Sequence, residues 1–164
     1  MTELILANSK KHYLLIEQLA DSVWKEHYTA IIGIEQVNYM LNKFQTAAVI
    51  ETQVSQGSQY FIIMNDDIPA GYISIKKDKE ALFLSKIYVL KDLRGQGIGK
   101  IAMTFTESQA KLKNCSKITL TVNRHNSNSI KAYEKIGFIN TGTIVQDIGN
   151  GYVMDDYTME KSID

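Results

Sequence analysis

Apolar residues change period several times along this chain, and the period assigns the elements. Glu3 to Ala7 is a short apolar run that predicts an edge strand. From Ser9, a side chain suited to capping a helix, the spacing turns helical, and Tyr13, Ile16, Leu19, Ala20, Val23 and Trp24 share one face. An aromatic, partly polar linker holding Trp24, His27 and Tyr28 is expected to follow. Further helices are expected from Ile34 to about Phe44 and from Thr46 to Gln56, with Gly57 suited to the residue just past a helix end. Ser58 to Met64 and Ala70 to Lys76 read as an antiparallel hairpin turned at Asn65 to Pro69. Lys77 to Glu80 turns the chain again into Leu82 to Val89, a run rich in β-branched, aromatic and apolar residues that predicts a buried strand.

At Gly97 the period becomes helical once more. Ile98, Ile101, Ala102, Phe105 and Leu112 form one stripe of a helix reaching about Lys113. Ile118, Leu120 and Val122 then alternate with threonines, a half-buried strand that runs parallel to 82–89 if the helix crosses over between them. The turn and capping residues Asn123 to Asn128 lead into a helix from Ser129 to Ile136, stopped at Gly137. Phe138 to Val145 and Tyr152 to Glu160 read as a closing hairpin around Gly149-Asn150-Gly151. No repeat or low-complexity linker interrupts this order, so one α/β domain over residues 1–164 is expected.

Composition narrows the class. Hydrophobic residues make up 45% and charged residues 22%, ordinary for a globular protein with a real core. Lys+Arg and Asp+Glu are both 18, so there is no basic field and nucleic acid is not expected as the main partner. No stretch approaches a membrane span, and the N-terminus lacks the basic and apolar regions of a signal peptide. Cys115 is the single cysteine, which excludes an internal disulfide and a cysteine-rich metal site. A cytoplasmic protein without a metal is expected.

The candidate chemistry starts at the junction after strand 82–89, where Arg94-Gly95-Gln96-Gly97-Ile98-Gly99 precedes the helix. Glycines there permit φ > 0 and let a ligand approach main-chain N–H groups without a Cβ in the way. The first N–H groups of a helix have no internal partner and carry partial positive charge, which suits a phosphate or pyrophosphate. A dinucleotide fingerprint needs G-x-G-x-x-G, and these glycines are spaced G-x-G-x-G. A Walker A loop needs Ser or Thr after Gly99-Lys100, where Ile101 stands. The pattern that fits is R-x-x-G-x-G, with a ligand-free glycine turn as the bland alternative.

That pattern resembles the acetyl-CoA loop of the GNAT superfamily of N-acetyltransferases. A second stretch, Asn123-x-x-Asn126-x-x-Ser129-x-x-x-Tyr133-Glu134-Lys135-Ile136-Gly137-Phe138, is similar to the other GNAT signature, with Ser129 where alanine is usual. The resemblance covers residues 70–140 and implies a mixed, mostly antiparallel central sheet of about seven strands flanked by helices. It also implies that strands 82–89 and 117–122 are parallel and splayed at the cofactor site.

Acetyl transfer from a thioester to an amine needs a neutral amine, a site for the developing oxyanion and a proton for the departing thiolate. The resemblance gives the last role to Tyr133, a phenol of ordinary pKa about 10; packing under the cofactor is the alternative. It implies that main-chain groups of Ile87, Tyr88 and Val89 pair with the pantetheine arm. Those of Arg94, Gly95, Gln96, Gly97, Ile98, Gly99 and Lys100 would hold the pyrophosphate. Asn126 and Ser129 would contact the cofactor, and Lys135 a phosphate, against the plainer readings of helix cap and solvated lysine. Cys115 reads as packing. No general base declares itself among His27, Glu35, His125, Asp155 and Asp156.

Fold alone does not choose the amine. The stretch Trp24-x-x-His27-Tyr28 with Glu35 to Leu41, and the tail Asp147 to Met159, look like the bacterial Pai-type branch, which includes spermidine/spermine N-acetyltransferases. A polyamine site wants carboxylates and aromatic faces, which Trp24, Tyr28, Glu35, Tyr39, Asp155 and Asp156 would supply. The alternatives are core packing for Trp24 and Tyr39 and a solvated strand end for Asp155 and Asp156. For the whole protein they are another amine, such as an aminoglycoside, amino acid or peptide N-terminus, or a non-catalytic CoA-binding regulator. The family makes a homodimer plausible.

Overall fold

The computed structural model describes residues 1–163, which form seven strands, five α-helices and one short 3-10 turn. In chain order these are β1 (Thr2–Leu6), α1 (Lys10–Ile32), α2 (Ile34–Phe44), α3 (Ala47–Ser55), β2 (Gln59–Asn65), β3 (Ile68–Asp78) and β4 (Ala81–Val89). The turn Lys91–Leu93, α4 (Ile98–Leu112), β5 (Lys117–Asn123), α5 (Ser127–Lys135), β6 (Ile139–Gly149) and β7 (Tyr152–Ser162) complete the chain. The sheet order is β1-β2-β3-β4-β5-β7-β6. β4 and β5 are parallel, and β1 with β2, β2 with β3, β5 with β7 and β6 with β7 are antiparallel. The mixed, mostly antiparallel sheet of seven strands is therefore as expected. The parallel ladder joins Ala81, Leu82 and Phe83 to Lys117, Ile118 and Thr119. β5 continues to Asn123 against β7 alone.

The chain divides into two compact units, Met1–Lys76 with Leu84–Ser108, and Lys77–Phe83 with Gln109–Asp164. In the first, Ile16, Ala20 and Val23 of α1, Val37 of α2 and Ile50 of α3 are fully buried. So are Tyr60 and Ile63 of β2 and Tyr72 and Ile73 of β3. Polar atoms inside this core are satisfied by a chain of side chains. Trp24 Nε1 donates to Tyr72 Oη (3.0 Å), Tyr72 Oη to Gln45 Oε1 (2.6 Å), Gln45 Nε2 to Tyr60 Oη (3.0 Å) and Tyr60 Oη to Gln53 Oε1 (2.6 Å). Each phenol both donates and accepts, so none is left unpaired in the low-dielectric interior. In the second unit, Leu82, Ile118, Leu120 and Met159 carry the core, and β5 alternates buried and half-buried positions as its sequence predicts.

Three expectations are corrected. The linker carrying Trp24, His27 and Tyr28 is helix: α1 runs unbroken to Ile32 and stops at Gly33, whose φ is 84°. No glycine or proline lies between Lys10 and Ile32, so nothing in the chain breaks the ladder sooner. The turn placed over Asn65 to Pro69 is shorter, because Asp66 and Asp67 both take positive φ (51° and 66°) and make a two-residue hairpin. Pro69 therefore lies within β3, opposite Met64 at a register shift between Ile63 and Met64. The last hairpin is also longer than expected, and most of β6 is exposed.

Candidate functional site

In the first unit the cofactor-loop residues sit where β4 gives way to α4. Gly95 and Gly97 take φ of 79° and 80°, a region L-side chains avoid. A Cβ placed on Gly95, Gly97 or Gly99 would meet nothing within 4 Å, so the loop is open on its outer side. Gly97 O accepts from Ile101 N (3.1 Å), which makes Gly97 the head of α4. The N–H groups of Ile98, Gly99 and Lys100 then have no acceptor inside the helix. Ile98 is buried and anchors the helix start, while Arg94, Gly95, Gln96, Gly97, Gly99 and Lys100 are exposed. Open glycines followed by unpaired helix N–H groups fit a pyrophosphate.

The strand before the loop carries two linked features. Gly71 on β3 lies against the carbonyl of Tyr88 on β4, and Leu90 N donates to Ala70 O (2.8 Å). With the Tyr88 carbonyl turned toward β3, alternation turns those of Ile87 and Val89 to the other side of the strand. Arg94 Nε donates to Val89 O (3.0 Å), so the loop arginine fixes the end of β4 with its own side chain.

Above this strand end, α1 brings an aromatic cluster together. Trp24, His27 and Tyr28 fall at i, i+3 and i+4 on one helix face. The Trp24 ring meets those of Tyr28 and Tyr88 edge-on at 5.7 and 5.9 Å, and His27 meets Tyr28 at 4.7 Å and Tyr88 at 6.5 Å. The hydroxyls of Tyr28 and Tyr88 are 2.9 Å apart. Burial, reinforced by the Arg94 guanidinium, lowers the His27 pKa from its ordinary value, so the neutral imidazole is favoured. Trp24 is thus both core, through Tyr72, and a wall of this cluster. Glu35 is exposed in the first turn of α2, and Tyr39, one turn later, lies under the Lys43 ammonium at 5.7 Å. An open cavity of about 570 Å³ between α1 and α2 is lined by Glu17, Asp21, Asn38 and Gln45 and by none of the expected site residues.

In the second unit the β5–α5 connection positions the other motif. Asn126 is buried and caps α5, its side chain accepting from Ser129 N (3.3 Å). Tyr133 is half-buried about two turns on, its ring edge-on to Phe138 at 5.7 Å. Lys135 is exposed in the last turn. Asp155 and Asp156 lie inside β7, so the strand-end reading does not hold. Arg124 Nε lies 3.3 Å from Asp155 Oδ1, both atoms buried without an aligned hydrogen bond, and the guanidinium sits over the Tyr157 ring at 5.3 Å. Asp156 is buried opposite Asn123. Burial and then Asp155 raise its pKa to about 6, with a Thr121 hydrogen bond opposing.

Sequence reasoning missed Gly71 and Lys86. Lys86 shares a β4 face with Tyr88 by alternation, is half-buried, and its ammonium donates to Ser85 Oγ (3.0 Å). Burial lowers its ammonium to about 8. Its position two residues before Tyr88 was the available signal. Among the described residues no group of three or more His, Cys, Asp and Glu is placed to hold a metal, and no helix is long and apolar enough to cross a membrane.

The profile of the acetyltransferase (GNAT) family matches residues 16–138, well over half of the sequence. The chain belongs to this family. Its enzyme class is acetyl-CoA-dependent N-acetyltransferase. Solved structures share the fold over nearly the full length. The PaiA N-acetyltransferase of Thermoplasma acidophilum in complex with coenzyme A is 22% identical with a TM-score of 0.79, 99% of each chain being covered. A GNAT N-acetyltransferase of Rhodopseudomonas palustris is 18% identical with a TM-score of 0.83, covering 99% of this chain and 96% of that one. A chimera of the spermidine N-acetyltransferase SpeG of Vibrio cholerae is 16% identical with a TM-score of 0.70, covering 98% and 95%.

Proposed function

We propose that this GNAT acetyltransferase moves an acetyl group directly from acetyl-CoA to a primary amine, and that the amine is a polyamine such as spermidine or spermine. The observation that carries the substrate reading is the Trp24–Tyr28–Tyr88 cluster, with ring centroids 5.7, 5.9 and 6.2 Å apart. Aromatic faces grouped in this way attract an organic cation. Full-length likeness of fold to PaiA and to the SpeG chimera supports the same reading. In this account main-chain N–H groups of Gly95 to Lys100 hold the pyrophosphate, and Arg94 and Lys135 add positive charge near it. Main-chain groups of Ile87 to Val89 align the pantetheine arm, with Asn126 and Ser129 at the start of α5 lining it. Direct attack by the amine places negative charge on the thioester oxygen, which a β4 main-chain N–H stabilises. The departing sulfur takes its proton from the Tyr133 hydroxyl. Glu35, Tyr39, Asp155 and Asp156 complete the polycation site.

Lys86 favours a second reading. It is a half-buried ammonium whose lowered pKa has burial as its one cause, with no carboxylate opposing it. Asp155, meanwhile, already faces Arg124. A lysine in that state suits an amine that also carries a carboxylate, such as an amino acid, better than a polycation. Thiol release from acetyl-CoA against spermidine, spermine, aminoglycosides, amino acids and short peptides tests both. Turnover confined to polyamines is expected. Turnover confined to carboxylate-bearing amines, lost in Lys86→Met, selects the second reading, and no turnover with any amine overturns both.

A further inference from the structure

Acetyl transfer has a proton problem that the cofactor machinery does not solve. A primary amine near neutral pH is almost wholly ammonium and has no lone pair to attack with. The attacking nitrogen needs a neutral base within reach, and reach comes before pKa. Of the three histidines, His12 accepts from Asn8 N (3.1 Å) at the start of α1, and His125 is exposed in the turn before α5. His27 alone is set among the aromatic rings over β4.

We propose that His27 is the general base of the transfer, its imidazole standing edge-on to the Tyr28–Tyr88 pair. The inference rests on the acetyltransferase reading above. Three features of the first unit support it. The ring lies 4.7 Å from Tyr28 and 6.5 Å from Tyr88, in the wall where the amine is placed. Tyr88 belongs to the β4 segment assigned to the pantetheine arm, so His27 stands beside the assigned cradle. Burial and the Arg94 charge also keep the imidazole neutral, ready to accept.

Packed against His27 on α1 is Tyr28, at 4.7 Å, while the carboxylate of Glu26, next in the chain, accepts from Lys91 N (3.4 Å). From β4 there is Tyr88 at 6.5 Å, and from the loop comes the charge of Arg94. Burial first, and then the Arg94 charge, leave the neutral form favoured.

The step balances as follows. The substrate ammonium gives one proton to His27, and its freed lone pair forms the C–N bond at the thioester carbonyl. The C–S bond then breaks, and the thiolate takes the Tyr133 proton. The second nitrogen proton returns through solvent to Tyr133, and His27 releases its proton to solvent. One amide, one free thiol and one proton leave.

His27→Gln keeps a hydrogen-bonding side chain of similar reach and loses the base. In the variant the neutral amine must come from solution, so kcat/KM is expected to fall about 10²-fold near pH 7. The deficit should shrink as pH rises toward the substrate's own pKa. A purely structural role predicts a deficit constant with pH, and that result overturns the proposal. NMR titration of the wild-type imidazoles, with and without CoA, reads the same group without turnover. His27 is expected to titrate below the ordinary histidine value, and titration at or above that value overturns the assignment. Wild-type protein that binds acetyl-CoA but acetylates no amine overturns the parent reading and this one with it. An active wild type with a pH-independent His27→Gln deficit removes His27 alone.

Discussion

Gly71 of β3 lies so close to Tyr88 of β4 that a Cβ on it would fall well inside contact distance of the Tyr88 carbonyl oxygen. It would also stand 2.9 Å from that carbonyl carbon and 3.0 Å from Val89 Cα. The atoms in the way are main chain, so they yield only if β4 itself moves. Gly71→Ala is expected to cost ~2–3 kcal/mol of stability. It should also weaken acetyl-CoA binding, because the displaced segment is Tyr88–Val89. Chemical denaturation and calorimetric titration measure the two effects, and wild-type values in both would show that β4 can give way freely.

Tyr133→Phe removes one hydroxyl from a half-buried ring that keeps its Phe138 contact. Turnover is expected to fall ~10²-fold or more, with acetyl-CoA affinity little changed. Stopped-flow thiol release beside equilibrium binding separates the two, and unchanged turnover takes Tyr133 out of the acid role.

Gly97→Asp puts a carboxylate at the head of α4 and a Cβ where φ is 80°. Phosphate repulsion and a strained loop act in the same direction. Loss of measurable CoA binding by calorimetry is expected, and retained tight binding contradicts the phosphate-site reading.

Asp156 holds its proton to higher pH in the folded chain than in the unfolded one, about 6 against 3.8. This group therefore favours folding at low pH, and the contribution is lost as pH rises from 3.8 through about 6. Asp156→Asn is expected to stabilise the protein by on the order of 1 kcal/mol near pH 8. The gain should vanish near pH 4. Thermal unfolding at the two pH values checks it, and an equal shift at both contradicts the burial argument.

Tyr72→Phe strands two buried partners at once, the Trp24 N–H and the Gln45 carbonyl oxygen. A loss of ~2–4 kcal/mol is expected, read by urea titration. A loss under about 1 kcal/mol would mean that the neighbours re-pair.

The sequence determined the elements and their order. Local period, caps and glycines act within a few residues, so β5 alternation, the α4 stripe, the Ser9 cap of α1 and the Asn126 cap of α5 were all readable. The two glycine and tyrosine motifs were readable for the same reason, since each is a continuous stretch. The end of α1 was not, because aromatic and polar residues after Trp24 look like a linker until α1 is seen to need them for both core and wall.

Only the tertiary structure decided which residues meet. Tyr28 and Tyr88 are 60 positions apart, and Trp24 and Tyr72 48. No local pattern encodes such pairs, because they arise when an amphipathic helix packs its face on a sheet. The same holds for charge state. The lowered pKa of His27 and Lys86 and the raised one of Asp156 come first from burial, with the distant Arg94 adding to it at His27 and the adjacent Asp155 at Asp156. Desolvation belongs to the folded shape, and the residue alone does not carry it.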